Sequence, residues 1–213
     1  MTRASPVTRE SIKKSRRQKD RSAETKSKLI NATIDCIMRV GWHNTSLSMI
    51  VEEAGLTRGA QAHHFPQKSQ LYAATMTYVI ESFIEQMRSE ISLVSDPEKK
   101  LDTLMHVIWR IIFEGPFMVC WMELVTAART DEDLRRSLEH IDTEMMETVR
   151  SIVRDIAVEN HHPDPELTTD TVNALSDAMR GMAMQKVLSP TYFNAEKNRK
   201  LLLEILKRMT AIH

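Results

Sequence analysis

The stretch "AGLTRGAQAHHFPQK", residues 54–68, reads as the end of one helix, a turn through Gly55-Leu56, and a second, short helix that Phe65-Pro66 ends. Thr57 is its natural cap, because a threonine hydroxyl accepts from the open backbone N–H groups of a first turn. Pro66 forbids continuation. A helix of about two turns holds itself together poorly and buries little apolar surface. A polar face carrying Arg58 and Gln61 therefore needs a reason outside the chain.

Toward the N-terminus, residues 46–54 form a helix burying Leu47, Ile50 and Val51. A longer helix precedes it, from about Ala23 to Val40, with Leu29, Ile30, Thr33, Ile37 and Met38 on one face. Gly41 stops that helix and Trp42 packs as an anchor. Residues 1–22 read as a disordered basic arm. Toward the C-terminus, Phe65 returns to the core and a long helix runs from Lys68 to about Leu93. Caps and breaks then recur. Asp96-Pro97 opens a fifth helix to Glu114, and Gly115-Pro116 separates it from a sixth ending at Ala128. The acidic run Thr130 to Asp133 opens a seventh to about Val158. Asp164-Pro165 opens an eighth that ends before Ser189-Pro190, and Asn194 caps a ninth reaching about Ile212. The expected fold is all-α with nine helices.

Composition agrees. Hydrophobic residues make up 42% of 213, enough for a substantial core, and Gly and Pro number only 5 and 7. Cys36 and Cys120 lack metal or redox spacing and read as reduced, buried thiols. The apolar stretch from Leu104 to Val125 is interrupted by Arg110, Glu114 and Gly115-Pro116, so no membrane span is expected and the protein reads as cytoplasmic. The formal net charge is zero, with 29 basic and 29 acidic residues, but residues 1–28 hold ten Lys/Arg against three acids. Beside a candidate DNA-reading helix, that excess is an electrostatic footprint.

Two helices joined through Gly-Leu-Thr, the second short and polar, make a helix-turn-helix, whose second helix enters the major groove. Arg58 suits phosphate or guanine, and Gln61 suits a bidentate bond to adenine. Gly59 and Ala60 let the backbone approach, Thr57 starts the helix, and His63 lies toward its surface or backbone. Thr45, Ser46 and Lys68 are placed for phosphate.

The segment "GWHNTSLSMIVEEAGLTRGAQAHHFPQKSQLY", residues 41–72, resembles the TetR family of bacterial transcriptional regulators. The aromatic after Gly41, Thr45-Ser46, Ile50, Ala54-Gly55, Thr57, Gly59, His64-Phe65 and Lys68 fall where that family's pattern has them. The resemblance implies a helix-turn-helix domain over 23–72 and a ligand-binding, dimerising domain over 73–213. It also implies a repressor released from a palindromic operator by a small inducer. Two positions depart from the pattern: Ala62 stands where an aromatic is frequent, and Gln61 where an apolar residue is.

The ninth helix carries Leu201, Leu202, Leu203, Ile205, Leu206, Met209 and Ile212 around most of its circumference, which calls for burial on two sides. With the small residues Ala174, Ala178 and Gly181 of the eighth helix, it forms the expected homodimer contact, of which Leu202, Leu206 and Met209 are the core. For the inducer, Trp109, Phe113, Phe117 and Trp121 recur every four residues, with Met105, Met118, Met122, Met145 and Met146 nearby. Rings and flexible thioethers suit an adaptable apolar cavity. His106, Arg110 and Glu123 are its polar anchors, and the inducer is expected to be apolar or aromatic. Neither cofactor nor metal site is expected. The rival readings are an all-helical enzyme and a helical protein-binding adaptor. The enzyme lacks any phosphate loop, His-Glu-x-x-His or nucleophile–base spacing, and the adaptor leaves residues 57–68 unexplained.

Overall fold

The computed structural model describes residues 9–210, and among them nine α-helices and no strand are present: α1 (Arg9–Asn44), α2 (Leu47–Glu53), α3 (Arg58–His64), α4 (Lys68–Ser92), α5 (Pro97–Glu114), α6 (Phe117–Ala128), α7 (Glu132–Glu159), α8 (Pro165–Leu188) and α9 (Ala195–Thr210). The chain divides into two compact units, the first ending at Thr75 and the second beginning at Met76.

The first helix starts earlier than its sequence pattern indicates. From Arg9 onward the segment expected to be a disordered arm is helical; residues 1–8 lie outside the described residues. Arg, Lys, Gln and Glu are all good helix formers, so the basic run extends the helix despite lacking an apolar face. Gly41 interrupts α1 with φ 75° and ψ 167°, a region closed to most L side chains, and a short turn through Trp42 follows. Leu29, Thr33 and Ile37 are buried and Ile30 partly so. Met38 is exposed, because it lies about 100° around the helix from Ile37.

Ser46 caps α2 by accepting from the Met49 amide, and Thr57 caps α3 by accepting from the Ala60 amide. Between them Gly55, at φ 63°, takes the left-handed position. There the Gly55 and Leu56 amides donate to the carbonyls of Glu52 and Val51, 3.0 Å each. Ile50, Val51, Phe65, Leu71 and Tyr72 join Leu29 and Ile37 in the core of this unit.

In the second unit, Asp131 and Asp164 accept from Leu134 and Leu167 at the starts of α7 and α8. Leu104, Met105, Leu124, Leu134, Met145, Val153, Val172 and Met179 are among its most buried side chains. Both cysteines are buried and unbridged, and burial pushes the Cys120 thiol up to about 12. Among the described residues no single helix is long and apolar enough to cross a membrane.

Candidate nucleic-acid interface and ligand cavity

On α3, the residues at positions 58, 59, 62 and 63 share the open face. Arg58, Gly59, Ala62 and His63 are exposed, as is the capping Thr57, and Ala60 is partly so. Arg58 donates to the Ser48 hydroxyl of α2, which holds the guanidinium along the outer surface. Gly59 has a further property: a Cβ built on it meets nothing nearer than the Thr57 hydroxyl at 3.9 Å. Nothing inside the fold requires glycine there, although glycine in a helix costs roughly 1 kcal/mol relative to alanine.

Gln61 is not on this face. It is 5% exposed, and its side-chain amide donates to the Phe65 carbonyl at the end of the same helix. The expected bond to adenine is therefore excluded in this conformation. Residues 61 and 65 lie four apart on the buried stripe, and Gln61 occupies an inward position by supplying its own acceptor. Thr45 is likewise buried, its hydroxyl donating to the Gly41 carbonyl at 2.7 Å, which removes it as a side-chain phosphate contact. Ser46 stays exposed at its cap. Lys68 is half-buried; its ammonium donates to the carbonyls of Thr45 (2.5 Å) and Trp42 (3.3 Å) and lies over the Trp42 and Tyr72 rings. That cation fastens the end of α1 to α4, and burial lowers its pKa.

The second unit contains a cavity of about 730 Å³ walled by α4, α6 and α7. Its apolar lining comes from Met76, Ile80, Trp121, Leu124, Val125, Leu138 and Ile141, with Thr126, Arg129, Arg135, Glu139 and Asp142 as the polar contributors. A groove of about 590 Å³ shares Ile80 and Ile141 and includes Met145. These volumes suit a small-molecule site.

Of the expected pocket residues, Trp121 alone lines the larger cavity and Met145 the adjoining groove. The aromatic row fails as one surface because α5 and α6 bend by 65° at Gly115-Pro116, so fourfold spacing no longer marks a common face. Trp109 and Phe113 instead pack with Phe193, ring centroids 4.1 to 6.3 Å apart, and Phe117 packs on Phe83. Met105 and Met118 are core. Met122 and Glu123 are partly exposed without lining the cavity, and Met146 lies against the Arg180 guanidinium. The anchors point elsewhere: His106 pairs with Arg199 of α9 at 3.0 Å, and Arg110 with Glu90 of α4. The α7 contribution was missed, although Leu134, Leu138, Ile141 and Met145 recur there at helical spacing. Among the described residues, no three or more His, Cys, Asp or Glu gather as metal ligands.

The α8 and α9 surfaces also need correction. Leu202 and Leu206 are 3% and 1% exposed, buried within their own unit. Among the described residues, Leu167, Met184, Val187, Leu188, Leu201, Ile205 and Met209 are the exposed large apolar residues of these helices, with Ala174, Ala178 and Gly181 open on α8. Ile212 lies outside the described residues.

A capped, two-helix reader with an open polar face, followed by a helical unit enclosing a cavity, defines a helix-turn-helix transcriptional regulator. Residues 29–75 match the model of bacterial regulatory proteins of the tetR family, and residues 111–211 that of the BetI-type transcriptional repressor C-terminal region. The chain belongs to the TetR family of transcriptional regulators. It is similar to the regulator CymR of Pseudomonas putida, 24% identical over 201 residues, covering 93% of this chain and 97% of that one. A putative TetR-family regulator from Mesorhizobium loti has the same fold, with a TM-score of 0.72 at 16% identity over 90% of this chain and 97% of that one. FadR of Bacillus subtilis, solved in complex with stearoyl-CoA, gives a TM-score of 0.65 at 16% identity over 88% and 99% of the two chains.

Proposed function

We propose that this protein is a cytoplasmic, homodimeric repressor that binds a palindromic DNA operator and leaves it when a small ligand with an apolar body enters the α4–α6–α7 cavity. Gly59 carries the DNA half of this reading. An exposed helical glycine that the fold does not need makes sense where another surface must approach the backbone closely, as duplex DNA does. Arg58 supplies charge on the same face, positioned by Ser48. The basic stretch of α1 adds phosphate attraction that is independent of sequence. Thr57, Ala62 and His63 complete the approaching surface, and Ser46 stands beside it.

The exposed apolar residues of α8 and α9 support dimerisation, with small residues at 174, 178 and 181 permitting close helix approach. Two-fold symmetry then matches a two-fold operator. Ligand binding favours a dimer whose recognition helices are no longer one DNA turn apart.

Selection from a random duplex pool, followed by gel shift, tests the reading. The expected result is an enriched palindrome bound by the dimer; a pool without one sinks the proposal. For the ligand half, an apolar or aromatic effector should quench tryptophan fluorescence and release the selected operator. Trp121→Phe should weaken that response while leaving operator affinity nearly unchanged. An undiminished response in the variant would move the ligand to another site.

A further inference from the structure

We propose that Lys19, Ser22 and Lys26 of α1, together with His63 of α3, seat one DNA backbone phosphate in each half-site, flanking the bases that face α3. The assignment rests on the DNA-binding reading above and adds a located contact to it. That contact falls on a segment preceding the family match over residues 29–75. A groove of about 680 Å³ within the first unit is lined by α1 and α3. Lys19, Ser22 and Lys26 line it from α1, at the three- and four-residue spacing that stacks side chains on one helical face. Arg21 stands beside them, and His63 and His64 form the opposite side.

Three observations separate this groove from an ordinary solvated helix face. Its lining holds the cations Lys19, Arg21 and Lys26 and no carboxylate. The nearby acid Glu24 is on another stripe of α1, where it takes Lys28 at 2.8 Å. Among the described residues neither Lys19 nor Lys26 enters an ion pair. Positive groups also crowd here: burial first, then His63 and Lys26, hold the His64 imidazole below its ordinary 6.5. An anion between such groups relieves their repulsion. Finally, His63 belongs both to the groove and to the open face of α3, with Arg58, Gly59 and Ala62. A duplex laid on that face brings its backbone past His63 to the α1 stripe. Phosphate oxygens then accept charge-assisted bonds from the two ammonium groups and a further bond from the Ser22 hydroxyl. Such a contact fixes register and carries no base preference of its own.

The test uses the full-length protein and the selected operator, carrying one neutral methylphosphonate at each backbone position in turn. One position per half-site should cost the natural protein about tenfold in affinity and the Lys19→Ala/Lys26→Ala variant almost nothing. Phosphates held by other residues should cost both proteins alike. Lys28→Ala, on the Glu24 stripe, should keep the natural pattern. Lys19 and Lys26 are exposed, so the double variant should melt with the natural chain. A scan in which every position costs both proteins equally overturns the seat, and so does loss of the pattern in Lys28→Ala. A lowered melting temperature in the double variant would assign the two lysines to the fold and overturn it too. A flat scan, with stabilisation by millimolar inorganic phosphate that the double variant lacks, would make the groove a site for a small free anion. If both proteins bind the operator and scan alike, the seat falls and the DNA-binding reading stands. If the natural protein selects no operator, that reading falls, and the seat with it.

Discussion

Lys68 in the first unit and Asp142 in the second are both charged groups drawn into protein, and the fold treats them oppositely. The Lys68 ammonium receives two carbonyls and two aromatic rings, tying the end of α1 to the start of α4. Asp142, partly exposed in the wall of a cavity of about 730 Å³, keeps one buried oxygen with no partner. Each unit buries an unpartnered oxygen, the Tyr72 hydroxyl in the first and Asp142 Oδ1 in the second, but the second also holds the apolar cavity. A reader of DNA has to hold α3 at a fixed angle, and the Lys68 contacts tie the neighbouring helices together. In the proposed sensor, the apolar cavity leaves room for a ligand to bury surface on binding.

The largest effect that sharpens this contrast is in the cores. Ile50, fully buried in the first unit, should lose about 2–5 kcal/mol of stability on Ile50→Ala. Ile141→Ala, in a wall that already lacks neighbours on one side, should cost only about 1 kcal/mol. Urea unfolding measures both, and equal losses would erase the difference between a filled unit and a hollow one.

Dimerisation comes next. Ile205→Asp, at a position 37% exposed, should give a folded chain that sediments as a monomer. Leu206→Asp, one residue away and buried, should fail to fold. A stable dimer in the first variant would relocate the interface away from α9.

On the DNA face, Arg58→Ala should weaken operator binding by about 1–3 kcal/mol if the guanidinium reads a base, and weaken all sequences alike if it serves phosphate. Gln61→Leu should leave operator preference intact and change stability by no more than about 1 kcal/mol, since one internal hydrogen bond is exchanged for apolar packing. Competition gel shifts decide, and relaxed preference at one base in Gln61→Leu would return that residue to the interface.

The smallest effect is in pH. Partial burial, with His63 and Lys26 nearby, holds the His64 imidazole below its ordinary 6.5. The unfolded chain takes up that proton more readily, so stability present above about pH 6.5 is lost as pH falls through 6.5 toward the folded value. Thermal melts across this range should show the loss, and His64→Gln should flatten that part of the profile.

Local chemistry is what the sequence by itself determined. Thr57, Asp131 and Asp164 announced their helix starts, because capping depends on a side chain and the next three amides. Gly41 and Gly55 marked their breaks, because positive φ is a property of one residue. The same local signals placed α2, α3 and the later helices to within a residue or two and pointed to the family. They missed the start of α1, because a polar helix carries no apolar period to betray it. Tertiary structure decided which face of each helix turned inward. Gln61 went into the core and Ala62 outward, although Gln is the more polar of the two, and Leu206 went inward and Ile205 outward, although both are aliphatic. It also decided that the aromatic row would part at Gly115-Pro116, and that Asp142 of α7 would stand in the cavity with Trp121. Those outcomes depend on the bend between helices and on which neighbours fill the space, and a one-dimensional spacing rule contains neither.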